Sequence, residues 1–200
     1  MKEHFVSILR KNDTPSCEFR QAASSLAKLL LAEAANYLPL QSLQIHTPLG
    51  IAKGAHLTHR VVLIVILRAG LAMLPAAMDL FPQSPIGFLG IRRDEETSTP
   101  HLYYQNLPKI SSKDWILVLD PMLATGGTAS LALEKLQQTG ASLPQTILIS
   151  MIAAQEGVDT FKKFSPLTQL VLAAIDPELN KKKFIVPGLG DFGDRFFDTV

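Results

Sequence analysis

Cysteine is almost absent from this chain, because Cys17 is the only one among 200 residues. A single cysteine cannot form a disulfide within the chain, so nothing indicates an oxidising compartment, and we interpret Cys17 as a small reduced side chain near a helix start. Net charge is nearly absent too, since 19 Lys and Arg stand against 18 Asp and Glu, a formal +1. This balance argues against a broad basic surface for nucleic acid, but it leaves room for a local cluster that binds a small charged substrate.

Long apolar runs are missing as well. No segment reaches the roughly 18 apolar residues that a membrane-spanning helix needs. The run at 61–67 is short, and the stretch 26–40 is interrupted by Lys28, Glu33 and Asn36. The opening MKEHFVSILRKNDT lacks the apolar stretch and cleavage site of a signal peptide. We therefore expect a cytoplasmic protein with no membrane partner.

Apolar material sufficient for one sizeable core is present. Hydrophobic residues make up 47% of the chain and charged residues 18%, which over this length predicts a single domain, 1–200. Buried-strand patterns alternate with helical patterns. The predicted strands are 61–67, 86–91, 115–119, 146–152 and 170–175, and the predicted helices are 18–36, 70–80, 127–138 and 157–164. This alternation predicts an α/β fold with a mainly parallel sheet, helices on both faces, and ligands beyond the carboxyl ends of the strands.

Three segments interrupt the alternation. Residues 43–51 are typical of extended chain with a turn, and the polar stretch 92–108, with Pro100 and Pro108, predicts a protruding loop or hairpin. The stretch PGLGDFGD at 187–194 holds three glycines and predicts an irregular segment with special backbone angles.

A strand-to-helix turn in the middle of the chain has the pattern of a phosphate site. In VLDPMLATGGTAS, residues 118–130, glycines let the backbone approach an anion at a helix N-terminus. No lysine follows them as in a Walker loop, and the spacing is not the G-x-G-x-x-G of a dinucleotide fold. Asp120 at the strand end could accept hydrogen bonds from two sugar hydroxyls or hold magnesium. An ordinary glycine-rich turn capped by threonine fits the same residues, so the pattern alone leaves both interpretations open.

Further motifs in a fixed order resolve this choice. Asp120 followed by Thr125-Gly126-Gly127-Thr128 resembles the binding loop of type I phosphoribosyltransferases, and DPMLATGG resembles its uracil phosphoribosyltransferase variant. ILRAG at 66–70, RDEET at 93–97, YYQNLP at 103–108 and PGLGDFGDRFF at 187–197 resemble the same family. Together the motifs cover almost the whole chain. The resemblance implies an enzyme that joins uracil to 5-phosphoribosyl 1-diphosphate (PRPP), releasing pyrophosphate and UMP.

The resemblance also implies a diphosphate site built on two arginines. Arg68 follows a buried strand, so its guanidinium would project into the ligand crevice and stabilise charge on departing pyrophosphate. Arg68 and Asp191 are the implied catalytic residues, whereas Arg92 fits a solvated charge. The implied PRPP-binding residues are Arg68, Arg93, Asp120, Pro121, Met122, Leu123, Ala124, Thr125, Gly126, Gly127, Thr128 and Asp191.

By the same resemblance, uracil binds the glycine-rich segment 184–197. Uracil has an N–H between two carbonyls, and fixed backbone donors and acceptors can require that pattern while leaving cytosine mispaired. The implied uracil-binding residues are Phe184, Ile185, Gly190, Asp191 and Phe192. Phe184 and Phe192 also fit ordinary core packing. Asp194 and Arg195 fit a structural ion pair.

The implied cofactor is Mg²⁺ carried on the diphosphate with several of its waters, so we expect no protein cage of carboxylates. The five histidines have no ligand spacing: His4, His46, His56, His59 and His101. The implied partners are uracil, PRPP and a second copy of the chain, in a homodimer or larger homo-oligomer.

Two other functions stay open. One is a non-catalytic sensor of PRPP or a nucleotide that regulates pyrimidine genes, which would need a basic RNA-binding face. The other is a transferase for a different base. Several positions depart from the family pattern without touching Arg68, Arg93, Asp120 or the TGGT loop: Val65, Ala72, Arg92, Phe184 and Asp198.

The segment 93–106 predicts a hairpin lid over the diphosphate. It contains Asp94, Glu95, Glu96, Ser98 and Thr99 with little apolar material, so it cannot bury enough surface to be rigid alone. Attraction of Arg93 to the diphosphate would close it and exclude water from the site. A surface hairpin that never touches substrate is the alternative.

Overall fold

Helices and strands alternate along most of the chain. The computed structural model describes residues 1–94 and 99–199. The helices are α1 (Lys2–Arg10), α2 (Ser16–Ala35), α3 (Leu74–Leu80), α4 (Gly127–Gln138), α5 (Gln155–Phe164) and α6 (Phe192–Phe197), with 3-10 turns at Ala69–Ala72 and Leu143–Gln145. The strands are β1 (Leu40–Thr47), β2 (Gly50–Leu57), β3 (Val61–Leu67), β4 (Ile86–Arg93), β5 (Pro100–Asn106), β6 (Trp115–Leu119), β7 (Met122–Leu123), β8 (Thr146–Ala154), β9 (Gln169–Asp176), β10 (Glu178–Leu179) and β11 (Ile185–Val186).

A seven-stranded sheet forms the centre of the molecule. Its strands follow the order β5-β4-β3-β6-β8, with β9 pairing the other side of β8 and the short β7 pairing the end of β8. Every pairing is parallel except that of β5, which runs antiparallel to β4. The predicted α/β fold with a mainly parallel sheet is therefore confirmed.

The apolar run of β3 is continuous because both faces of the strand are buried. Val61, Leu63 and Val65 contribute to one core, which also contains residues of α1, α2, α3 and α6. Val62, Ile64 and Ile66 contribute to a second core with residues of α4 and α5. Two hydrophobic cores on opposite faces of one sheet account for helices on both sides.

Two hairpins differ in how they join the molecule. Strands β1 and β2 pair only with each other in a hairpin whose side chains are mostly exposed, longer than the turn predicted at 43–51. Strand β5 adds to the edge of the central sheet, so a hairpin does follow β4. The tip of the predicted lid, residues 95–98, lies outside the described residues, and the lid stays a prediction.

The C-terminal segment is more regular than its glycines predicted. After Gly190, helix α6 begins at Phe192, whose ring is fully buried and lies 5.3 Å from Phe19 and 5.8 Å from Phe196 between centroids. Asp198 ends the helix with φ of 60° in the left-handed region, a conformation that favours glycine over a residue with a side chain. Among the described residues, no helix is both long and apolar enough to cross a membrane.

Candidate active site

A cleft of ≈ 490 Å³ opens beyond the carboxyl ends of β3, β4 and β6. Most residues of the implied PRPP site line it: Arg68, Arg93, Asp120, Met122, Leu123, Ala124, Thr125, Gly126, Thr128 and Asp191. Pro121 and Gly127 lie on the same loop without lining the cleft. Arg92, Tyr103 and Gly193 line it in addition, and the sequence argument had given none of them a role in binding. The structure thus brings together residues from five separate parts of the chain.

The loop before α4 has a backbone shaped for close approach. Gly126 caps the helix with φ of 84°, a conformation that favours glycine. The Gly127 N–H donates to Thr125 Oγ1 at 3.4 Å, which fixes the turn. Because α4 begins here and Thr128 and Ala129 line the cleft, the free amides of its first turn lie at the cleft, as an anion site requires.

Helix α5 supports this loop from behind, a contact that the sequence argument missed. A Cβ built on Gly157 would lie 2.3 Å from the carbonyl oxygen of Ala124, so only glycine allows the helix this close. The sequence argument placed Gly157 at the first residue of the predicted helix 157–164, where a glycine needs no explanation, but the helix begins at Gln155, so Gly157 lies inside it, where a glycine costs stability unless packing requires it.

Asp120 occupies the end of β6 at the floor of the cleft. Burial raises its pKa to about 7, while the Met122 amide and the positive charge of Arg93 act in the opposite direction. Met122 N–H donates to Asp120 Oδ1 at 3.4 Å. The carboxyl therefore changes charge near neutral pH, and donors supplied by a ligand would favour its ionised form.

Arg68 extends from the end of β3 toward helix α6. The Leu67–Arg68 peptide bond is cis, and the guanidinium lies 3.6 Å from Asp194 Oδ1 and 5.9 Å from the centre of the Phe197 ring. The interpretation of Asp194 and Arg195 as an ion pair was wrong, because Asp194 faces Arg68 instead. The Arg195 guanidinium donates to backbone carbonyls and lies 4.5 Å from the Phe19 ring centre.

The segment implied to bind uracil borders the cleft through Asp191 and Gly193. Asp191 caps α6, since its carboxylate accepts the Asp194 N–H at 3.0 Å. Phe184 is 41% exposed, Ile185 is buried in β11, and Gly190 has φ of 80°. None of these three lines the cleft, and the Phe192 side chain belongs to the core, so only its backbone is free to contact a base.

Among the residues that the structure describes, two carboxylates line the cleft, those of Asp120 and Asp191. Within residues 1–94 and 99–199, no group of three or more His, Cys, Asp or Glu side chains is arranged to hold a metal ion. Two separate carboxylates fit a magnesium ion that is bound mainly by a diphosphate and water.

The fold is that of a phosphoribosyltransferase. The hypoxanthine-guanine phosphoribosyltransferase of Bacillus anthracis superposes with a TM-score of 0.53 at 12% identity, over 80% of both chains. The adenine phosphoribosyltransferase (APRTase) of Giardia lamblia gives 0.53 at 15% identity, over 78% of this chain and 80% of the other. At such low identity these likenesses show the fold alone.

The family model of uracil phosphoribosyltransferase matches residues 1–199, and the chain belongs to that family. It is 44% identical to the uracil phosphoribosyltransferase of Roseiflexus castenholzii, over 98% of this chain and 93% of that protein. It is 39% identical to the uracil phosphoribosyltransferase of Campylobacter concisus, over 99% of this chain and 94% of that protein. The structure of the AQ2163 protein of Aquifex aeolicus superposes with a TM-score of 0.89 at 35% identity, over 99% of this chain and 94% of that chain.

Proposed function

We propose that this chain transfers the phosphoribosyl group of PRPP to uracil, giving UMP and pyrophosphate, a pyrimidine salvage reaction. The observation that carries the proposal is the cleft itself. One cavity at the carboxyl edge of the sheet is lined by Arg68, Arg93, Asp120 and the loop before α4, and Asp191 brings the glycine-rich segment to its rim. Relatives that carry the name uracil phosphoribosyltransferase match nearly the whole chain.

Residues 120–128 bind the phosphoribosyl end of PRPP in this proposal. The amides at the start of α4 hold the 5-phosphate, and Asp120 accepts hydrogen bonds from the two ribose hydroxyls. The packing of Gly157 against Ala124 supports this role, because a loop backed by a helix stays in position for its ligand.

Arg68 and Arg93 hold the diphosphate and stabilise it as it leaves. The bond from the anomeric carbon to diphosphate oxygen breaks, the bond to the uracil ring nitrogen forms, and that nitrogen loses its proton. The anomeric carbon passes through an oxocarbenium-like state, so charge on the leaving group is the main quantity to stabilise. Mg²⁺ carried on the diphosphate, near Asp120 and Asp191, would neutralise part of that charge.

Uracil is held by the backbone around Ile185, Gly190 and Phe192, with the Phe184 ring beside it. The open space at Gly190 supports this, since a Cβ there would contact only Arg195 Cδ, at 3.6 Å. Asp191 at the rim joins the base site to the diphosphate site, and the protein mainly aligns the two substrates.

The test is UMP formation by the purified protein from uracil, PRPP and magnesium, with cytosine, hypoxanthine and xanthine assayed beside uracil. We expect UMP from uracil and no nucleotide from the other bases. PRPP binding without any product would favour the sensor, and faster reaction of a purine would make the chain a transferase for another base.

The proposal includes a homodimer and a cytoplasmic location. The β1–β2 hairpin exposes Leu40, Leu49 and Ile51, with Leu49 100% exposed, and apolar surface of this kind is typical of protein contacts. Light scattering during size-exclusion chromatography should give twice the chain mass of 21.9 kDa. Replacing Leu49 and Ile51 by lysine should shift the protein toward monomer, and an unchanged mass would remove the hairpin from the interface.

The proposed cytoplasmic location is supported by Cys17, which is exposed and unpaired, as in a reducing compartment.

A further inference from the structure

One residue of the glycine-rich segment is held on both of its backbone polar groups. The Gly188 N–H donates to Asp176 Oδ2 at 2.8 Å, and the Gly188 carbonyl accepts from Arg10 Nη1 at 2.9 Å. The two terminal guanidinium nitrogens of Arg10 also donate to the two carboxylate oxygens of Asp176. The three residues, from α1, the end of β9 and the segment before α6, form a closed ring of hydrogen bonds.

The next residue is held by a second guanidinium. The Leu189 carbonyl accepts from Arg195 Nη1 at 2.7 Å, and Arg195 in turn donates to the carbonyls of Leu9 and Lys11 at the end of α1. Two successive residues are thus connected to the same end of α1. The backbone just before Gly190 and Asp191 has its position set by this helix.

Arg10 and Asp176 form an ion pair in which the aspartate is well buried. Asp176 is 4% exposed. Burial alone would raise its pKa, but the Arg10 guanidinium and the Gly188 amide hold the pKa below the ordinary aspartate value. A buried ion pair gives little net stability on average, so its placement on a ligand loop calls for another reason. Gly188 has φ of 61°, and a Cβ there would lie 2.0 Å from the Ile185 carbonyl oxygen. Only glycine fits at this position, and the Arg10–Asp176 pair holds both of its backbone polar groups.

The chain contains a matched pair away from the cleft. Arg60 and Asp114 also form two hydrogen bonds, at 3.1 and 2.6 Å, and Asp114 also accepts the Ser111 N–H at 2.7 Å. Asp114 is 5% exposed and just precedes β6, at the edge of the sheet opposite the cleft. The two pairs are alike in chemistry and in the burial of the aspartate, although the Arg60 side chain is 47% exposed and that of Arg10 is 26% exposed. They differ in whether they hold the segment that we propose binds uracil.

We propose that Arg10 and Asp176 are positioning residues for base recognition, holding Gly188 so that Gly190 and Asp191 present their backbone to uracil; this rests on the proposed function. Neither side chain lines the cleft. They act through the backbone of the segment that follows β11. Among the residues assigned to PRPP, Asp191 lies on this segment, whereas Arg68, Arg93 and the loop at 120–128 lie on other parts of the chain.

The test compares Asp176→Asn with Asp114→Asn. Asparagine keeps one acceptor oxygen, which in the place of Oδ2 can still accept from Gly188 and from Arg10 Nη1, but its NH₂ then faces the Arg10 Nη2 donor and the negative charge is lost. We expect the KM for uracil to rise by about 10- to 100-fold in Asp176→Asn, as a misplaced binding group commonly causes. The KM for PRPP should rise by no more than about threefold, because Asp191 is the one proposed PRPP contact on the segment that Gly188 belongs to. Asp114→Asn should lower the thermal midpoint comparably and leave both KM values unchanged.

Arg10→Lys and Arg10→Ala provide the second measurement. Lysine keeps the charge but not the guanidinium geometry, so it should restore part of the uracil affinity that alanine loses. Loss of stability in Asp176→Asn and Arg10→Ala with an unchanged KM for uracil would overturn the proposal.

Hydrogen exchange of residues 187–191, read by mass spectrometry, keeps the inference independent of activity. Exchange should quicken in Asp176→Asn and Arg10→Lys but not in Asp114→Asn. If the unaltered protein makes no UMP, the proposed function fails, and this comparison alone decides whether the pair holds the segment. Equal protection in all variants would overturn it.

Discussion

Asp120 has a carboxyl group whose charge changes near neutral pH. Its pKa of about 7 means that it is mostly protonated below neutrality, and the neutral carboxyl is a weaker acceptor for hydrogen bonds from two hydroxyls. We expect kcat/KM for PRPP to fall as the pH drops through about 7 in the unaltered protein. The phosphate groups of PRPP also titrate, near pH 6, and contribute equally in any variant. Asp120→Asn should therefore show lower values and lack the step near 7. Identical pH profiles in the two proteins would contradict the assignment.

Arg68 is the cation that we assign to the leaving group. Replacing it with alanine should lower kcat by at least ~100-fold, as the loss of one transition-state donor commonly does. The fold should be retained, since the side chain is 61% exposed and its contact with Asp194 is a surface ion pair. Steady-state kinetics check this.

Arg92→Ala is the matched control for Arg68→Ala. Arg92 is another arginine at the same cleft, and we assign it no contact with a substrate. It should change kcat by less than about threefold, in line with a screened surface charge. Equal losses in the two variants would mean that the cleft needs positive charge in general and not Arg68 in particular.

At the scale of elements, helix α5 and the loop at 120–128 pack together as one unit. Gly157→Ala would force the helix away from the Ala124 and Leu123 carbonyls, so we expect a loss of about 1–3 kcal/mol in unfolding free energy. The KM for PRPP should rise while that for uracil changes less. Glu156→Ala, one residue earlier, is the control: it removes an exposed ion pair with Lys183 at 3.3 Å and should be close to neutral in both respects. Chemical denaturation and steady-state kinetics provide the comparison.

Elements buried on both faces were the ones that the sequence predicted well. The bounds of β3 and β6 agree with their apolar runs, and α4 begins and ends where its periodicity does. Helix α1 was missed because it has nine residues and buries only Val6 and Leu9, too few for a visible period. The β1–β2 hairpin has mostly exposed side chains, so little alternation marked its length.

The candidate site was predictable where its residues follow one another in a motif. The loop at 120–128 and Arg68 could be found because each ends a recognisable strand. Gly157 could not, since its role depends on which helix packs behind the loop. Asp194 was paired wrongly because adjacency in sequence suggested Arg195, whereas the turn of α6 directs it to Arg68. Long-range packing of this kind leaves no local pattern.

At the scale of the whole molecule, stability should depend on pH in two opposite ways. Bonding to arginine holds the pKa of both Asp114 and Asp176 below the ordinary value, despite burial in each case. Their contribution is present above the unfolded pKa, about 3.9, and is lost as pH falls through the lower folded value. The free energy of unfolding should therefore fall less steeply with decreasing pH in Asp114→Asn and Asp176→Asn than in the unaltered protein.

Asp120 has the opposite sign because its folded pKa is raised. Its contribution is complete below the unfolded pKa and is lost as pH rises through about 7. Asp120→Asn should thus be more stable than the unaltered protein at pH 8 and lose that advantage at pH 5. Thermal midpoints at the two pH values check this, and a constant difference between the proteins would contradict it.

The ring of Arg10, Asp176 and Gly188 joins residues that are 166 and 178 positions apart. During translation, α1 leaves the ribosome first and waits for partners that are made near the end of synthesis. A nascent chain that stops before Gly188 already contains Arg68, Arg93 and the loop at 120–128, but lacks the backbone that would recognise a base. Under the proposed function such a fragment has most of the PRPP contacts but neither Asp191 nor the base site, so base recognition would be the last property that the growing chain acquires.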